Sequence, residues 1–329
     1  MPNPKRDCRR LSKPIFFKPI LFKPILFKPI ALLLLAITLT PLLWLGTRYL
    51  QRPARIAESS LLFSSAKYQR GAKYQRIIWN QPRPVVLHLV AIDLTSPNLK
   101  ILVTPADRTI PDLDDRPLIA RTTTDFLKTF NMDLAINGSF FFPFKENGPL
   151  DYSPHSGDRV NVVGQAISSG KIVSANLEDN WAMICFDARN RAQILNQSTC
   201  PAHTQQGLSG NELILQNGTA LNTRTAQDGA KPYARSIVGL NATGDTLWLV
   251  VVDGKQPFYS EGATLPELAA FLPTIGIVTA LNLDGGGSTA LAYQTPQGAQ
   301  ILNAPIHTKI PMMERPVANH LGFRFSKSQ

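Results

Sequence analysis

Several signatures of common enzyme classes are missing from this chain of 329 residues. Its five histidines form no H-E-x-x-H pair, so a zinc site is not expected. It contains no G-x-S-x-G nucleophile elbow and no G-K-[ST] phosphate loop, and its one glycine run does not match the dinucleotide-binding fingerprint. The sequence therefore implies neither a metal nor a cofactor.

Charged residues are also scarce, and most of the excess of positive charge lies near the N-terminus. Charged residues make up 17% of the chain and hydrophobic residues 44%, which is typical of a globular protein. The net charge is +11. Residues 1–58 hold eleven Lys or Arg against Asp7 and Glu58, so this segment has a net charge of +9. The rest of the chain therefore carries only +2. Because a nucleic-acid binding protein carries its positive charge on the folded domain, no nucleic-acid partner is expected.

An uncharged run, "IALLLLAITLTPLLWLG", follows this basic end at residues 30–46. As a helix it would span about 25 Å, slightly less than a hydrocarbon core of about 30 Å. Lys28 and Arg48 could reach the two interfaces and make up the difference. We therefore predict a transmembrane anchor (a signal-anchor) at residues 30–46. A cleaved signal peptide is the alternative.

The distribution of basic residues predicts how the chain is oriented. Residues 1–29 repeat Lys-Pro-Ile and form the predicted cytoplasmic tail, while residues 47–83, with a tandem "AKYQR", are predicted to be a linker or stalk. The positive-inside rule then leaves everything after residue 47 outside the cytoplasm, as a periplasmic or extracellular domain of a single-pass cell-membrane protein. In an oxidising compartment Cys185 and Cys200 are expected to form a disulfide, the alternative being two buried free thiols.

From residue 84 to residue 326 the pattern is that of one globular domain. Residues 84–94 and 99–105 are rich in β-branched residues and predict strands, and residues 116–130 predict a helix. Residues 264–272 predict a second helix that begins with a T-x-x-E capping box. We expect an α+β domain with a many-stranded mixed sheet and a few helices, preceded by the transmembrane helix.

The segment "TALNLDGGGSTALAY", residues 279–293, is difficult to explain by packing alone. A predicted strand ends in an aspartate, which is followed by three glycines and a serine. Glycines leave backbone N–H groups uncovered, and successive uncovered N–H groups can bind an anion. The segment is therefore predicted to hold a phosphate or carboxylate, and a crowded turn without a ligand is the alternative. Its residues are Asp284, Gly285, Gly286, Gly287 and Ser288.

A second strand, in "LWLVVVDGK", also ends in an aspartate, Asp253. Neither aspartate is followed by the Ser/Thr-Gly of the aspartic proteases, and we exclude that class. On neighbouring strands, Asp253 and Asp284 could still supply a nucleophile and an acid–base group.

Three further segments carry candidate binding residues. Arg235 opens a predicted strand and Arg315 lies near the C-terminus, and a guanidinium can hold a phosphate through two parallel hydrogen bonds. Surface ion pairs are the alternative for both arginines. Asn137 and Gly138 precede three phenylalanines in "INGSFFF", which could form the wall of a sugar pocket or belong to the core.

Taken together, "INGSFF", "LSGNELILQNG", "ARSIVGL", "LVVVDGK", "ALNLDGGGSTAL" and "RPVANHLGF" resemble the phosphodiester glycosidase family, over about residues 85–325. This family includes the uncovering enzyme, which has an N-acetylglucosamine-1-phosphodiester α-N-acetylglucosaminidase domain. Ser139 and Ser236-Ile237 depart from the usual Asn-Gly-Gly-Phe-Phe and Pro-Arg-Thr-Ala, which implies an altered pocket. The resemblance implies an α+β fold and cleavage of a sugar from a sugar-1-phosphodiester.

Three hypotheses follow. The first is an exported, membrane-anchored glycosidase that acts on sugar-1-phosphodiesters of an envelope or extracellular glycan. The second is a non-catalytic module that binds a phosphorylated or acidic glycan through the same pocket. The third is an envelope structural protein.

Overall fold

The computed structural model describes residues 27–62, 72–107, 116–174, 181–221 and 229–325. The chain divides into two compact units, Met1–Gly46 and Thr47–Gln329. The described part of the first unit lies in helix α1, Phe27–Leu50, whose last residues belong to the second unit.

The predicted membrane anchor, residues 30–46, lies inside α1. Among the residues described, no helix is both long enough and apolar enough to cross a membrane. The uncharged run is shorter than the roughly 20 apolar residues of a typical span, and it contains Pro41. The predicted anchor is therefore not supported. The predicted tail at residues 1–29 falls mostly outside the described residues.

The segment predicted as a linker, residues 47–83, differs from that prediction. It contributes strands β1 (Glu58–Leu62) and β2 (Ala72–Trp79) to the second unit. In β2 the side chains of Ala72, Tyr74 and Arg76 are buried and those between them are exposed. This alternation with period two is the pattern of a strand, and it lies within the second copy of the tandem repeat.

An antiparallel sheet of eight strands is the largest in the structure. β2 pairs from Lys73 onwards with β3 (Val85–Asp93), and β18 (Arg235–Leu240) lies between β19 (Thr246–Val252) and β20 (Thr279–Asn282). Across the sheet the order is β1, β2, β3 (Val85–Asp93), β19 (Thr246–Val252), β18 (Arg235–Leu240), β20 (Thr279–Asn282), β16 (Glu212–Gln216) and β17 (Thr219–Ala220).

Two five-stranded sheets complete the main architecture. The first has the order β22 (Gly298–Ile301), β21 (Leu291–Thr295), β6 (Leu134–Asn137), β25 (His320–Phe325) and β4 (Leu99–Val103). The second has the order β12 (Lys171–Ser174), β11 (Ala166–Ser168), β15 (Gln206–Gly210), β13 (Ala182–Phe186) and β14 (Ala192–Leu195).

The remaining strands form small sheets. They are β5 (Leu118–Ile119), β10 (Arg159–Val162) and β7 (Phe141–Phe142) in one, β8 (Lys145–Gly148) and β9 (Asp151–Ser153) in another, and β23 (Ile306–His307) and β24 (Ile310–Pro311) in a third. Within the described ranges the strand pairs are antiparallel, for example β18 with β19 and β3 with β19. The predicted mixed sheet is thus corrected, whereas the α+β class is confirmed by a mostly β-sheet unit with helices.

One apolar cluster joins the three large sheets. Leu249, Phe323 and Phe186 come from different sheets, are almost fully buried, and belong to the same cluster. The sheets therefore share one core, as expected for a single layered domain. The disulfide between Cys185 and Cys200 links β13 to the loop before β15, with the two Cα atoms 5.8 Å apart.

Helix α3 (Leu265–Phe271) covers a second apolar cluster of the eight-stranded sheet, where Leu265 and Leu268 are buried with Ile237. The Thr264 hydroxyl accepts from the backbone N–H of Glu267, and the Glu267 carboxylate accepts from the backbone N–H of Thr264. This is the capping box that the sequence predicts, and the helix prediction for residues 264–272 is confirmed.

Helix α2 (Thr123–Phe130) is shorter than the predicted helix at residues 116–130. Its N-cap is Thr122, whose side chain accepts from the backbone N–H of Asp125 over 3.1 Å. Thr is a preferred N-cap because its oxygen satisfies a helix N–H that has no backbone partner. The residues before it form β5 instead.

Candidate active site

The glycine-rich segment joins two sheets at one edge of the domain. β18 is antiparallel to both β19 and β20, so the C-terminal ends of β19 and β20 lie beside the N-terminal end of β18. The turn after β20 leads directly into β21 of the five-stranded sheet, which pairs with β6. Strand ends from both sheets therefore meet around residues 284–290.

A cavity of about 560 Å³ opens at this edge. It contains one carboxylate, three basic side chains, two amides and four aromatic rings. Its lining residues are Asp284, Gly285, Lys231, Arg235, Arg315, Asn211, Asn282, Tyr233, Phe140, Phe141 and Phe144. The structure thus brings Arg235, Asp284 and Arg315, from three distant parts of the sequence, to a single cavity.

Asp284 supplies the carboxyl group of this cavity, and the residue is half-buried. Burial raises its pKa from 3.8 to about 6, and this effect outweighs the hydrogen bond from Ser288, the charge of Arg315 and the nearby N–H of Gly285. A carboxyl group with a pKa near neutrality can bind and release a proton at physiological pH.

The glycine turn does not form the predicted nest of free N–H groups. The N–H of Gly286 donates to the carbonyl of Ala234 over 2.8 Å, and that of Ser288 donates to the carbonyl of Gly285 over 3.2 Å. The N–H of Gly285 is directed to the Asp284 carboxylate. These three donors already have partners within the protein, so residues 285–288 do not provide the predicted nest of successive free N–H groups.

Close packing explains the glycines instead. A Cβ at Gly285 would lie 2.7 Å from the carbonyl oxygen of Ala234, and a Cβ at Gly286 would lie 2.7 Å from the Tyr233 ring. Gly286 also has φ +63, a conformation that favours glycine. A Cβ at Gly287 would collide with the guanidinium of Arg315. The turn is crowded, and the absence of a side chain at Gly287 leaves room for the guanidinium of Arg315 beside it.

Asp253, the second predicted catalytic aspartate, lies outside the cavity lining and has no solvent-exposed surface. Its Oδ2 is 3.0 Å from Nε2 of His88, and its Oδ1 accepts from Nδ2 of Asn303 and from the backbone N–H of Ala304. A carboxylate with these partners is satisfied within the core. The catalytic prediction for Asp253 is therefore corrected to a structural one.

Asn137 and Gly138, which were predicted to bind substrate, have a different role in the structure. Asn137 is buried, and its Nδ2 donates to the backbone carbonyl of Asp284 over 2.7 Å. Its Oδ1 accepts from the Ser236 hydroxyl and from the N–H of Ala290. The carbonyl of Gly138 accepts from the N–H of Asp284. Both residues therefore position the glycine turn and do not present groups to a sugar.

The two predicted arginines lie on the cavity wall. The guanidinium of Arg315 stacks 4.6 Å from the centre of the Phe144 ring and donates to the Ser288 hydroxyl and to Nδ1 of His307, each over 3.3 Å. Burial, together with the charge of Arg315, lowers the pKa of His307 to about 4. His307 is therefore neutral and its Nδ1 can accept. Arg235 lies over Tyr233, 5.3 Å from the ring centre.

Residues of the site that were missed from the sequence include Tyr233, Lys255, Asn282 and His307. Lys255 lies 4.2 Å from the centre of the Tyr233 ring. Tyr233 comes two residues before Arg235, and Lys255 comes two residues after Asp253, so both stand next to segments singled out in the sequence. Asn282 precedes Asp284 by two residues, so period-two alternation would place it on the same face. Its Nδ2 donates to Asn211, while its buried Oδ1 has no hydrogen-bond partner among the described residues. His307 gave no signal in the sequence.

Comparisons with known proteins identify the family of this chain. The sequence profile of the phosphodiester glycosidase family matches residues 130–324, more than half of the chain. This chain belongs to the phosphodiester glycosidase family, and the resemblance predicted from the sequence is confirmed. No curated protein matches the sequence.

Solved structures share the fold. A Synechocystis protein aligns with a TM-score of 0.55 at 14% identity, over 82% of this chain and 64% of its own. The zebrafish N-acetylglucosamine-1-phosphodiester α-N-acetylglucosaminidase catalytic domain aligns with 0.55 at 19% identity, over 84% and 92%. A Burkholderia pseudomallei K96243 protein aligns with 0.55 at 15% identity, over 73% and 74%. This chain thus spans less than two thirds of the Synechocystis protein.

Proposed function

We propose that the cavity around Asp284 hydrolyses the glycosidic bond of a sugar-1-phosphodiester. The observation that carries the proposal is the half-buried Asp284, with a pKa raised to about 6, in the same cavity as the guanidinium of Arg315. The cavity volume of about 560 Å³ lies within the range of about 300–1,000 Å³ that is usual for small-molecule sites.

The sugar is proposed to bind between the phenylalanines and the amides. Phe140 and Phe141 offer apolar surface to the ring carbons. On the strand side, the unpartnered Oδ1 of Asn282 is an acceptor for a sugar hydroxyl or amide N–H. A buried acceptor without a partner is costly, and a bound donor would remove that cost.

The phosphate is proposed to bind at Arg315. A guanidinium holds a phosphate with two parallel charge-assisted hydrogen bonds, and stacking on Phe144 fixes the plane of this one. Lys255 lies 4.2 Å from the centre of the Tyr233 ring, which lines the same cavity, and it is proposed to add a second cation. Together these two cations stabilise the charge that develops on the leaving phosphate.

The reaction needs little acid assistance, because a phosphate monoester is a weak base and leaves readily. The bond between the anomeric carbon and the phosphate oxygen breaks, and its electron pair stays on that oxygen. If Asp284 is the base, a water oxygen bonds to the anomeric carbon and gives its proton to the carboxylate. If Asp284 is the nucleophile, its oxygen bonds to that carbon first, and water then hydrolyses the glycosyl ester.

The test is incubation of the full chain with a panel of glycosyl-1-phosphodiesters, with free sugar as the readout. Asp284→Asn is expected to abolish turnover and keep ligand binding, while Asp125→Asn on helix α2 serves as a matched control. NMR of the first product separates inversion by a water from retention through an ester. Undiminished binding of glycosyl phosphodiesters without any turnover by the unmodified chain would favour the non-catalytic binding module.

We further propose that the domain works outside the cytoplasm on an envelope or extracellular glycan. The pairing of Cys185 with Cys200 supports this, because disulfides persist in oxidising compartments. Thiol-specific labelling of the chain from intact cells, before and after reduction, tests it: labelling of Cys185 and Cys200 without reduction would contradict an oxidising location.

A further inference from the structure

A second cavity, of about 740 Å³, adjoins the first. Phe144, Tyr233 and Arg315 line both cavities. The guanidinium proposed to hold the phosphate is therefore a shared wall. A group bound to that phosphate on the side away from the sugar would extend into the second cavity.

The walls of the second cavity are basic and aromatic. Lys255, Lys309 and Arg315 face it against one acidic residue, Glu146. Aromatic rings come from Tyr49, Tyr152 and Phe258, in addition to the two rings that the second cavity shares with the first. Such a combination suits a ligand with both an anionic group and a flat or ring-shaped part.

Phe258 is unusual in two respects that point to binding. Its side chain is 93% exposed, and its φ is +64. A bulky non-glycine residue rarely adopts positive φ, and such strain persists mainly at functional sites. Lys255, three residues earlier, also has positive φ, +58. The segment thus holds an aromatic ring at the rim and a cation above Tyr233, 4.2 Å from the ring centre.

We propose that this second cavity binds the aglycone of the phosphodiester and selects aglycones that carry a second anionic group. The inference rests on the proposed function for the position of the first phosphate. Lys309 binds the second anion, and Phe258 covers the ring-shaped part of the aglycone. A phosphate and a carboxylate share this chemistry, and they differ in charge and geometry.

The test uses four diesters of one sugar. Their alcohols are methanol, a neutral ring alcohol, the same ring alcohol with a phosphate, and the same ring alcohol with a carboxylate. The full chain is expected to have the highest kcat/KM with the two anionic aglycones, and the preference should shrink as salt screens the charges. Comparing those two diesters tells which anion the cavity prefers.

Lys309→Gln is the diagnostic variant, because Lys309 is exposed and lines only the second cavity. It should lower kcat/KM for the anionic aglycones about three- to fivefold, as for an exposed ion pair, and leave the methyl diester unchanged. Lys309→Arg should restore the preference. Lys171→Gln, a surface lysine on β12, is the matched control.

Two outcomes separate this inference from the proposed function. Equal kcat/KM for all four diesters, or an equal loss on all of them in Lys309→Gln, would overturn the aglycone site while the glycosidase stands. If no diester is hydrolysed, the proposed function fails. Calorimetry with the phosphorylated ring alcohol alone then decides: binding that Lys309→Gln weakens supports the anion site, and no binding overturns it.

Discussion

The side chain of Asn137 holds the backbone of Asp284: its Nδ2 donates to the Asp284 carbonyl over 2.7 Å. The same amide accepts from Ser236 on β18 and from Ala290 just before β21. One buried side chain therefore ties together both ends of the glycine turn and the strand that carries Arg235. The position of the candidate carboxylate depends on this connection.

Replacing Asn137 with Ala is expected to lower the free energy of unfolding by about 3 kcal/mol, since three buried groups lose their partner. Activity should fall as well, because the turn that carries Asp284 loses its main tie. Urea unfolding and free-sugar release measure the two effects. Asn147→Ala, at an exposed amide that donates to the Ser153 hydroxyl, should change neither.

The rate should depend on pH through Asp284. As base or nucleophile this group must be ionised, and its pKa lies at about 6. We expect kcat/KM to rise as the pH passes through about 6 and then to level off, since the diester itself stays ionised. A profile that falls across the same range would mean that the protonated carboxyl acts, which contradicts the proposed role.

The same pKa shift predicts a cost in stability. The folded chain binds the Asp284 proton more tightly than the unfolded chain, whose ordinary value is 3.8. Stability contributed by this group is therefore present below about pH 4 and is lost as the pH rises through about 6. Asp284→Asn should be more stable than the unmodified chain by about 1–3 kcal/mol at pH 7. Denaturant unfolding should show no difference at pH 4.

A methyl group at residue 287 should displace Arg315. A Cβ there collides with the guanidinium, so Gly287→Ala is expected to weaken phosphate binding and lower kcat/KM about 10- to 100-fold. At Gly148 a Cβ would meet no atom within 4 Å, and Gly148→Ala should keep full activity. A fully active Gly287→Ala would show that the phosphate does not depend on Arg315 in this position.

The disulfide should contribute measurably to stability. It joins residues 15 apart, and closing a loop of that size contributes about 3 kcal/mol in the chain-entropy model. Cys200→Ser is expected to lower the free energy of unfolding by about that amount in urea titrations, and added reductant should do the same to the unmodified chain. Cys8→Ser, which leaves the pair intact, is the control. Equal stability of the unmodified chain, Cys8→Ser and Cys200→Ser would rule out a stabilising disulfide.

Local features were predictable where the sequence contains its own signal. The sequence predicts the helix at residues 264–272 from its capping box, and the capping box is found. Residues 116–130 gave a helical pattern too, but Thr122 caps the helix late and the preceding residues pair as β5. The sequence predicts a stalk for the second copy of the tandem repeat, but this copy forms the start of strand β2, in which burial alternates with period two.

The candidate site was only partly predictable, since Asp253 and Asp284 look alike in the sequence. Each ends a strand and precedes a glycine, and both strands neighbour β18. Asp253 meets His88, Asn303 and Ala304 inside the core, whereas Asp284 meets the open cavity. Nothing within either segment distinguishes them, because the difference lies in what packs against each strand end.

The sequence by itself determined the family, the α+β class, the capped helix α3 and a glycine turn after an aspartate, because these depend on residues close together in the chain. Only the tertiary structure decided which aspartate is accessible and which cations face it. Arg235, Asp284 and Arg315 come together through pairing and packing of strands that are far apart in the sequence. Such long-range neighbours set burial and charge, and these in turn set the pKa of Asp284.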